Sequence, residues 1–294
     1  MLKAIGIGDN VVDKYIHQGM MYPGGNALNF SVFAKKLGAQ AAYMGIFGDD
    51  EAASHIKAVL DEIGIDYSRS LSLHGPNGFA RVSLEDGERV FLPGNKGGVS
   101  KNHPPSFDPE DLAYIKGFDI LHTSCYSYIE PQLETLASTG VPISFDFSDR
   151  LSDAYLSQVG KSIQFAFLSC GDMETSQVKE KVKTAVQAGC VFAVASRGGK
   201  GALFFNGEEY IEQHAFLVKP VDTMGAGDSF LAGMLIDLLG KDALFTKDPE
   251  LIKESMDFAA RKAAQTCMVN GTFGYGKAYE SSRTMGVSHK EGLE

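Results

Sequence analysis

The chain has 294 residues, 44% hydrophobic and 22% charged, with a formal net charge of -10. That balance suits one large globular domain with a good core, and an acidic chain without a Lys/Arg-rich block is not expected to bind nucleic acid. Cys125, Cys170, Cys190 and Cys267 form no CxxC pair, and the histidines show no metal-ligand spacing. Buried thiols and no zinc site are therefore expected. No apolar run is long enough to span a bilayer and no signal peptide is visible, so no membrane partner is expected and the cytoplasm is the expected compartment.

Leu2 to Gly8 reads as a buried strand that runs into Asp9-Asn10-Val11-Val12-Asp13. Polar residues at the end of such a strand are a usual place for ligand contacts, which makes Asp9 and Asp13 candidates. Asp13 suits a vicinal diol, since a carboxylate accepts two hydrogen bonds; a plain turn aspartate is the alternative. Gly6-x-Gly8 is an incomplete dinucleotide fingerprint, because Val11 stands at the third glycine and no helix follows. Pro23-Gly24-Gly25-Asn26-Ala27-Leu28-Asn29 opens a helix with Ala27, Phe30, Ala34 and Leu37 at helical spacing. A strand over 41–46 follows, and Gly48-Asp49-Asp50-Glu51 starts a helix whose acidic residues serve its dipole.

From Tyr67 to about Val99 the period changes to two, and Asp86-Gly87 between apolar runs signals a hairpin. This segment, with residues near 10–22, reads as a small β lid; Gly94 to Gly98 is either a substrate contact or the hinge back to the body. The βα rhythm then resumes, with strands over 119–124, 142–147, 165–168 and 191–195. A second hairpin turns at Asn206-Gly207, and a last helix is expected over about 251–269. The run from Asn270 to Gly276 is expected to border the adenine of a nucleotide, and a polar tail follows about residue 280. The alternation argues for an α/β fold, a three-layer α/β/α sandwich with a mainly parallel sheet, in a single domain over 1–294.

The most informative stretch is Asp222-Thr223-Met224-Gly225-Ala226-Gly227-Asp228-Ser229-Phe230. An apolar helical pattern from Phe230 to Leu239 places its small residues at a helix N-terminus. Unpaired amides and the helix dipole there favour an anion. A carboxylate beside such a cradle, at Asp228, suits removal of a proton from a hydroxyl that attacks phosphorus. The plainer alternative is a cap made by Asp222 or Thr223.

The run from Asp222 to Gly233 resembles the C-terminal signature of the PfkB (ribokinase-like) carbohydrate kinases, and Gly24-Gly25-Asn26-Ala27-x-Asn29 resembles their N-terminal one. The resemblance covers essentially the whole chain. It implies a ribokinase-like fold and Asp228 as catalytic base, with the Gly225, Ala226 and Gly227 amides as anion hole. It further implies sugar contacts from Asp13, Gly24, Gly25, Asn26 and Asn29, and ATP contacts from Ser196, Gly198, Gly201, Thr223 and Gly225. Glu174 would act on Mg²⁺ through water, or else merely complement a helix dipole. K⁺ is an optional further cofactor. The lid implies a homodimer.

Departures from the signature are Asn26 in place of a common lysine, Ser148 and Gly171 in place of asparagines, and Ser196 in place of a threonine. Within the family, the pattern from Gly8 to Tyr15, Phe145 to Asp149 and the Asp222-Thr223-Met224 opening most resemble the branch acting on fructosamines at the 6-hydroxyl, the fructoselysine 6-kinases. A kinase for another sugar or a nucleoside (fructose, ribose, 2-keto-3-deoxygluconate), and a non-catalytic sugar-binding regulator, remain as alternatives.

Overall fold

A computed structural model describes residues 1–85 and 88–280. The strands are β1 (Lys3–Gly8), β2 (Val11–Tyr15), β3 (Met20–Gly24), β4 (Gln40–Phe47), β5 (Leu71–Ser72), β6 (Gly78–Glu85) and β7 (Glu88–Leu92), followed by β8 (Ile120–Ser124), β9 (Ile143–Asp146), β10 (Phe165–Ser169), β11 (Phe192–Ser196), β12 (Ala202–Phe205), β13 (Tyr210–Gln213) and β14 (Lys277–Ala278). The helices are α1 (Asn26–Lys36), α2 (Glu51–Ile63), α3 (Val99–Asn102), α4 (Pro109–Ile115), α5 (Leu133–Ala137), α6 (Asp153–Gly160), α7 (Thr175–Ala188), α8 (Ala226–Gly240) and α9 (Pro249–Thr266).

Nine strands form one sheet in the order β13-β12-β11-β10-β9-β8-β1-β4-β5, parallel from β11 to β5 with an antiparallel hairpin at the β13 edge. Its side chains alternate between two cores. Phe165, Phe167, Phe192 and Val194 face α8 and α9, whereas Ala166, Leu168, Ala193 and Ala195 face α6 and α7. Opposite faces of a strand carry successive residues, so one strand serves both helical layers. Rings fill both layers, as in the stacked Phe165 and Phe192 pair at 4.6 Å on the first face and the Phe145 and Phe147 pair at 4.8 Å on the second. This is the expected three-layer α/β/α sandwich.

The chain leaves β1 for β4 on one side and later returns to β8 on the other. The strand order therefore switches between β1 and β8, and a crevice opens there at the carboxyl ends of the strands.

A second sheet, β14-β3-β2-β6-β7, stands apart from the first. It holds the hairpin expected from the period-two pattern, although the turn at Asp86-Gly87 and the tail beyond 280 lie outside the described residues. Two details differ from the sequence reading. Leu71–Ser72 pairs with β4 in the large sheet, because the segment after α2 runs alongside that edge before it crosses. β14, from the far end of the chain, adds a strand beside β3. The last helix starts earlier than its apolar pattern, at Pro249, with Asp248 accepting from the Glu250 amide as cap.

Candidate active site

Asp9 follows β1 at the switch point. One of its carboxylate oxygens accepts the Asn26 amide at 2.6 Å; the other accepts the Ala27 amide at 3.3 Å, Ser124 Oγ at 2.8 Å and Ser127 Oγ at 2.7 Å. Four donors fill a carboxylate's capacity of about four. Asp9 thus caps α1 from another strand, since Gly25 at the cap position has no side chain to do so. Asp9 was expected to contact sugar; the structure shows it holding the scaffold, with Oδ1 carrying three of these bonds and Oδ2 one. Gly25 belongs to the same arrangement, because a Cβ there would lie 2.7 Å from the Asp9 carbonyl oxygen.

Asp13, on β2, is 6% exposed, and its carboxylate lies against Gly24 of the neighbouring β3, where an added Cβ would come 2.6 Å from Oδ2. Asn26, in the first turn of α1, donates from Nδ2 to Asp146 Oδ2 at 2.6 Å. Asn29, almost a turn further on, donates from Nδ2 to Asp228 Oδ2 at 2.8 Å. The structure therefore brings Asp9, Asp13, Asn26, Asn29 and Asp228 to one crevice, with Asp146 and Ser124 added from the ends of β9 and β8. Asp146 carried a weak signal in the sequence, a carboxylate at a strand's carboxyl end.

Asp228 is half-buried in the first turn of α8. Loss of surrounding water pushes its carboxyl up to about 8; Asp146 adds to this, Asn29 opposes it, and Asp9 and Asp13 push the same way. Asp146 is pushed up to about 6 by burial, with Asp9 and Asp149 adding and the hydrogen bonds from the Ser148 amide and Asn26 opposing. Carboxylates without nearby relief hold protons longer, the condition of a tuned general base.

Beside this acidic group the α8 start opens onto a cleft of about 560 Å³, a size common for small-molecule sites. Ser196, Gly198, Gly201, Thr223, Ala226 and Gly227 all line it. Apolar walls come from Phe216, Leu217, Ala260 and Ala263. The run from Asn270 to Gly276, expected to border adenine, braces the α8 loop: the Gly271 amide donates to Asp222 Oδ2 at 2.9 Å, and Phe273 packs edge-on against Phe33.

Gly225 caps α8 in the left-handed region at φ 73°, and a Cβ there would fall 2.1 Å from Thr272 Cγ2. Only glycine fits both demands. Nothing lies within 4 Å of where a Gly227 Cβ would stand, so the helix start faces open space. The Ala226 amide makes a long bond, 3.3 Å, to the Thr223 carbonyl. Asp222 accepts from the Met224 amide at 3.0 Å and so shapes the loop rather than capping the helix.

Glu174 is exposed at the N-cap of α7, where it forms a reciprocal capping box with Gln177. It does not line the cleft, although Ser169 at the end of β10 does. Arg197 donates to Thr175 Oγ1 at 2.8 Å and ties the Ser196–Gly201 loop to the same helix start.

The family model described as pfkB family carbohydrate kinase matches residues 3–274. The chain belongs to that family. It is 43% identical over 281 residues to a fructosamine kinase of Bacillus subtilis, covering 95% of each chain. It is 31% identical to the fructoselysine 6-kinase of Escherichia coli, over 78% of this chain and 86% of that one. The ribokinase of Giardia lamblia has the same fold, with a TM-score of 0.77 at 17% identity over 93% of this chain and 95% of that one. Membership makes the chain an ATP-dependent sugar kinase.

Proposed function

We propose that this protein phosphorylates the 6-hydroxyl of a fructosamine, with fructoselysine as the reference acceptor, in the breakdown of Amadori compounds. The observation that carries the reading is the set of carboxylates around Asp228, at the mouth of a glycine-lined cleft. A neutral sugar can use such a set only through its hydroxyls. A fructosamine carries a secondary ammonium, and a cation within about 4–6 Å of a carboxylate favours its charged form. The ammonium, on C1, would pair with a neighbouring carboxylate such as Asp146 and so offset a charge that raises Asp228, the base proposed for the distant 6-hydroxyl. Asn26 in place of a lysine keeps a competing cation out of the crevice, and the 43% identity to a fructosamine kinase supports the same acceptor.

In this reading Asp228 takes the proton from the acceptor hydroxyl while Asn29 fixes the orientation of its carboxylate. The amides of Gly225, Ala226 and Gly227 at the start of α8 stabilise charge on the transferring group. Asp13 holds sugar hydroxyls, with Gly24 leaving it room. Ser196, Gly198, Gly201 and Thr223 hold ATP. The donor set fits a metal that arrives with the nucleotide: among the described residues no group of three or more His, Cys, Asp or Glu forms a cage. Mg²⁺ keeps several waters and needs only one or two carboxylates besides phosphates. Glu174 is the residue proposed to meet it through water, and Mg²⁺ would neutralise phosphate charge. K⁺ is an optional addition to which no residue is assigned. The small sheet serves as a lid over the acceptor and as the surface of a homodimer, in a cytoplasmic enzyme.

The test is product identity. With Mg-ATP and fructoselysine the protein should yield a monophosphate whose phosphorus couples to the C6 protons in the NMR spectrum. Phosphate on another oxygen, or ADP formed only with plain sugars or nucleosides, would overturn the assignment.

A further inference from the structure

Tyr15 is 2% exposed and stands at the end of β2, in the small sheet. Its hydroxyl donates to Asp222 Oδ2 at 2.6 Å, across 207 residues of sequence. The same oxygen accepts the Gly271 amide, and Oδ1 accepts the Met224 amide. Asp222 therefore joins three pieces of chain: the lid strand, the loop that leads into the anion hole, and the loop that braces it. The apolar contacts agree, because Met224 packs against the small cluster of Tyr15, Tyr22 and Val82.

Asp13 and Tyr15 are two apart on β2, so their side chains share one face of the sheet, about 7 Å apart along the strand. Asp13 faces the acceptor crevice, and its charge is felt at Asp228. A sugar bound at Asp13 would therefore pull on the same paired strand that carries Tyr15, and through it on Asp222. β2 is held on both sides, by β3 and β6, so it moves as part of the sheet rather than by itself.

We propose that Tyr15 and Asp222 are positioning residues that latch the small sheet to the anion-hole loop, so that acceptor binding sets the phosphoryl site. The latch acts through Met224 and the Gly225 cap, whose placement fixes the first-turn amides of α8. It rests on the kinase reading above. It differs from the substrate contacts in that neither residue needs to touch sugar or nucleotide. Its consequence is a coupling between the two sites: acceptor tightens binding of the nucleotide's phosphates, and ATP without acceptor meets an unset loop and is spared hydrolysis.

The experiment compares Tyr15→Phe with Tyr22→Phe in the full chain. Both remove one hydroxyl from the same cluster, but the Tyr22 hydroxyl goes to Gln18 and not to the loop. Affinity for the β,γ-imido analogue of ATP is measured by calorimetry with and without fructoselysine, or whichever sugar the protein is found to phosphorylate. In the unaltered protein the acceptor should tighten the analogue about five- to fiftyfold, within the usual span of couplings between sites. Tyr15→Phe should bring that factor to about one with each ligand's separate affinity kept, lower kcat about ten- to a hundredfold, and raise the share of ADP formed without product. Tyr22→Phe should keep both coupling and kcat.

Equal losses in the two variants would reduce Tyr15 to a packing role and overturn the latch. So would unchanged coupling in Tyr15→Phe, or an unaltered protein that turns over its sugar without any coupling. Turnover by the unaltered protein tests the kinase reading, and the contrast between the variants tests the latch.

Discussion

The two halves of the proposed site, one for the nucleotide and one for the acceptor, are built from different materials. The nucleotide side is backbone and small residues: Gly198, Gly201, Ala226 and Gly227 with apolar walls. The acceptor side is charge: Asp13, Asp146 and Asp228, clamped by Asn26 and Asn29 on a scaffold that Asp9 ties together. A polyanion is held by amides, a helix start and the metal it brings, so acidic side chains on that side would repel it. The proposed acceptor, a polyhydroxyl with an ammonium group, would be held by carboxylates. Asp228 sits where the two halves meet, with its carboxyl held up by burial and by its acidic neighbours.

Replacing the junction should give the largest effect. Asp228→Asn is expected to lower kcat by about 10²–10⁴-fold, the usual contribution of a general base, with ATP affinity kept. It should also raise Tm near pH 8. The sign follows from linkage: the folded carboxyl titrates near 8 and the unfolded one near 4. The folded state therefore binds more protons between those values, and stability falls as pH rises across them. Asparagine removes that loss, so the gain in Tm should shrink toward pH 4. A variant both inactive and less stable than the parent at pH 8 would point to misfolding instead.

On the nucleotide side, Gly225→Ala should follow. The clash with Thr272 and the left-handed φ cost about 1–2 kcal/mol and displace the loop, for an expected loss of about a hundredfold in kcat/KM. Full activity would mean that the helix start does not need its present geometry.

A smaller effect should separate the acceptor side. Asp146→Asn is expected to lower kcat/KM for fructoselysine about ten- to a hundredfold while sparing fructose, since only the first offers a cation to a buried carboxylate. An equal fall for both sugars would assign Asp146 to structure.

The smallest expected effect is on pH dependence. The raised pKa of Asp228 means that its base form becomes abundant only as pH approaches 8, so kcat/KM should climb with unit slope to a plateau above that value. The kcat profile should break at lower pH, because the bound ammonium neutralises a neighbouring carboxylate whose charge raises Asp228. Identical breaks in both profiles would remove the proposed help from the acceptor.

Much of this was legible in the sequence where the signal is local. Asp222 to Asp228 announced a glycine-rich helix start, the β/α rhythm announced the sandwich, and period two marked the hairpin around 78–92. What stayed hidden depends on which strand ends meet. Asn29 finds Asp228 across 199 residues and Tyr15 finds Asp222 across 207. No spacing rule reports such pairs, because the switch between β1 and β8 is a property of strand order. The scaffold role of Asp9 was hidden for the same reason: its four donors come from the start of α1, from the end of β8 and from the turn after it, and only the fold brings them together. Glu174 is a helix cap by geometry, and its part in metal binding stands as a proposal.

The most direct measurement is the ratio of kcat/KM for fructoselysine to that for fructose, with Mg-ATP at pH 7.5. If carboxylates around Asp228 select a cationic acceptor, the ratio should exceed about a hundred, as expected where a site built for a charged group meets an analogue lacking it. A ratio near one would contradict the account of the acceptor crevice.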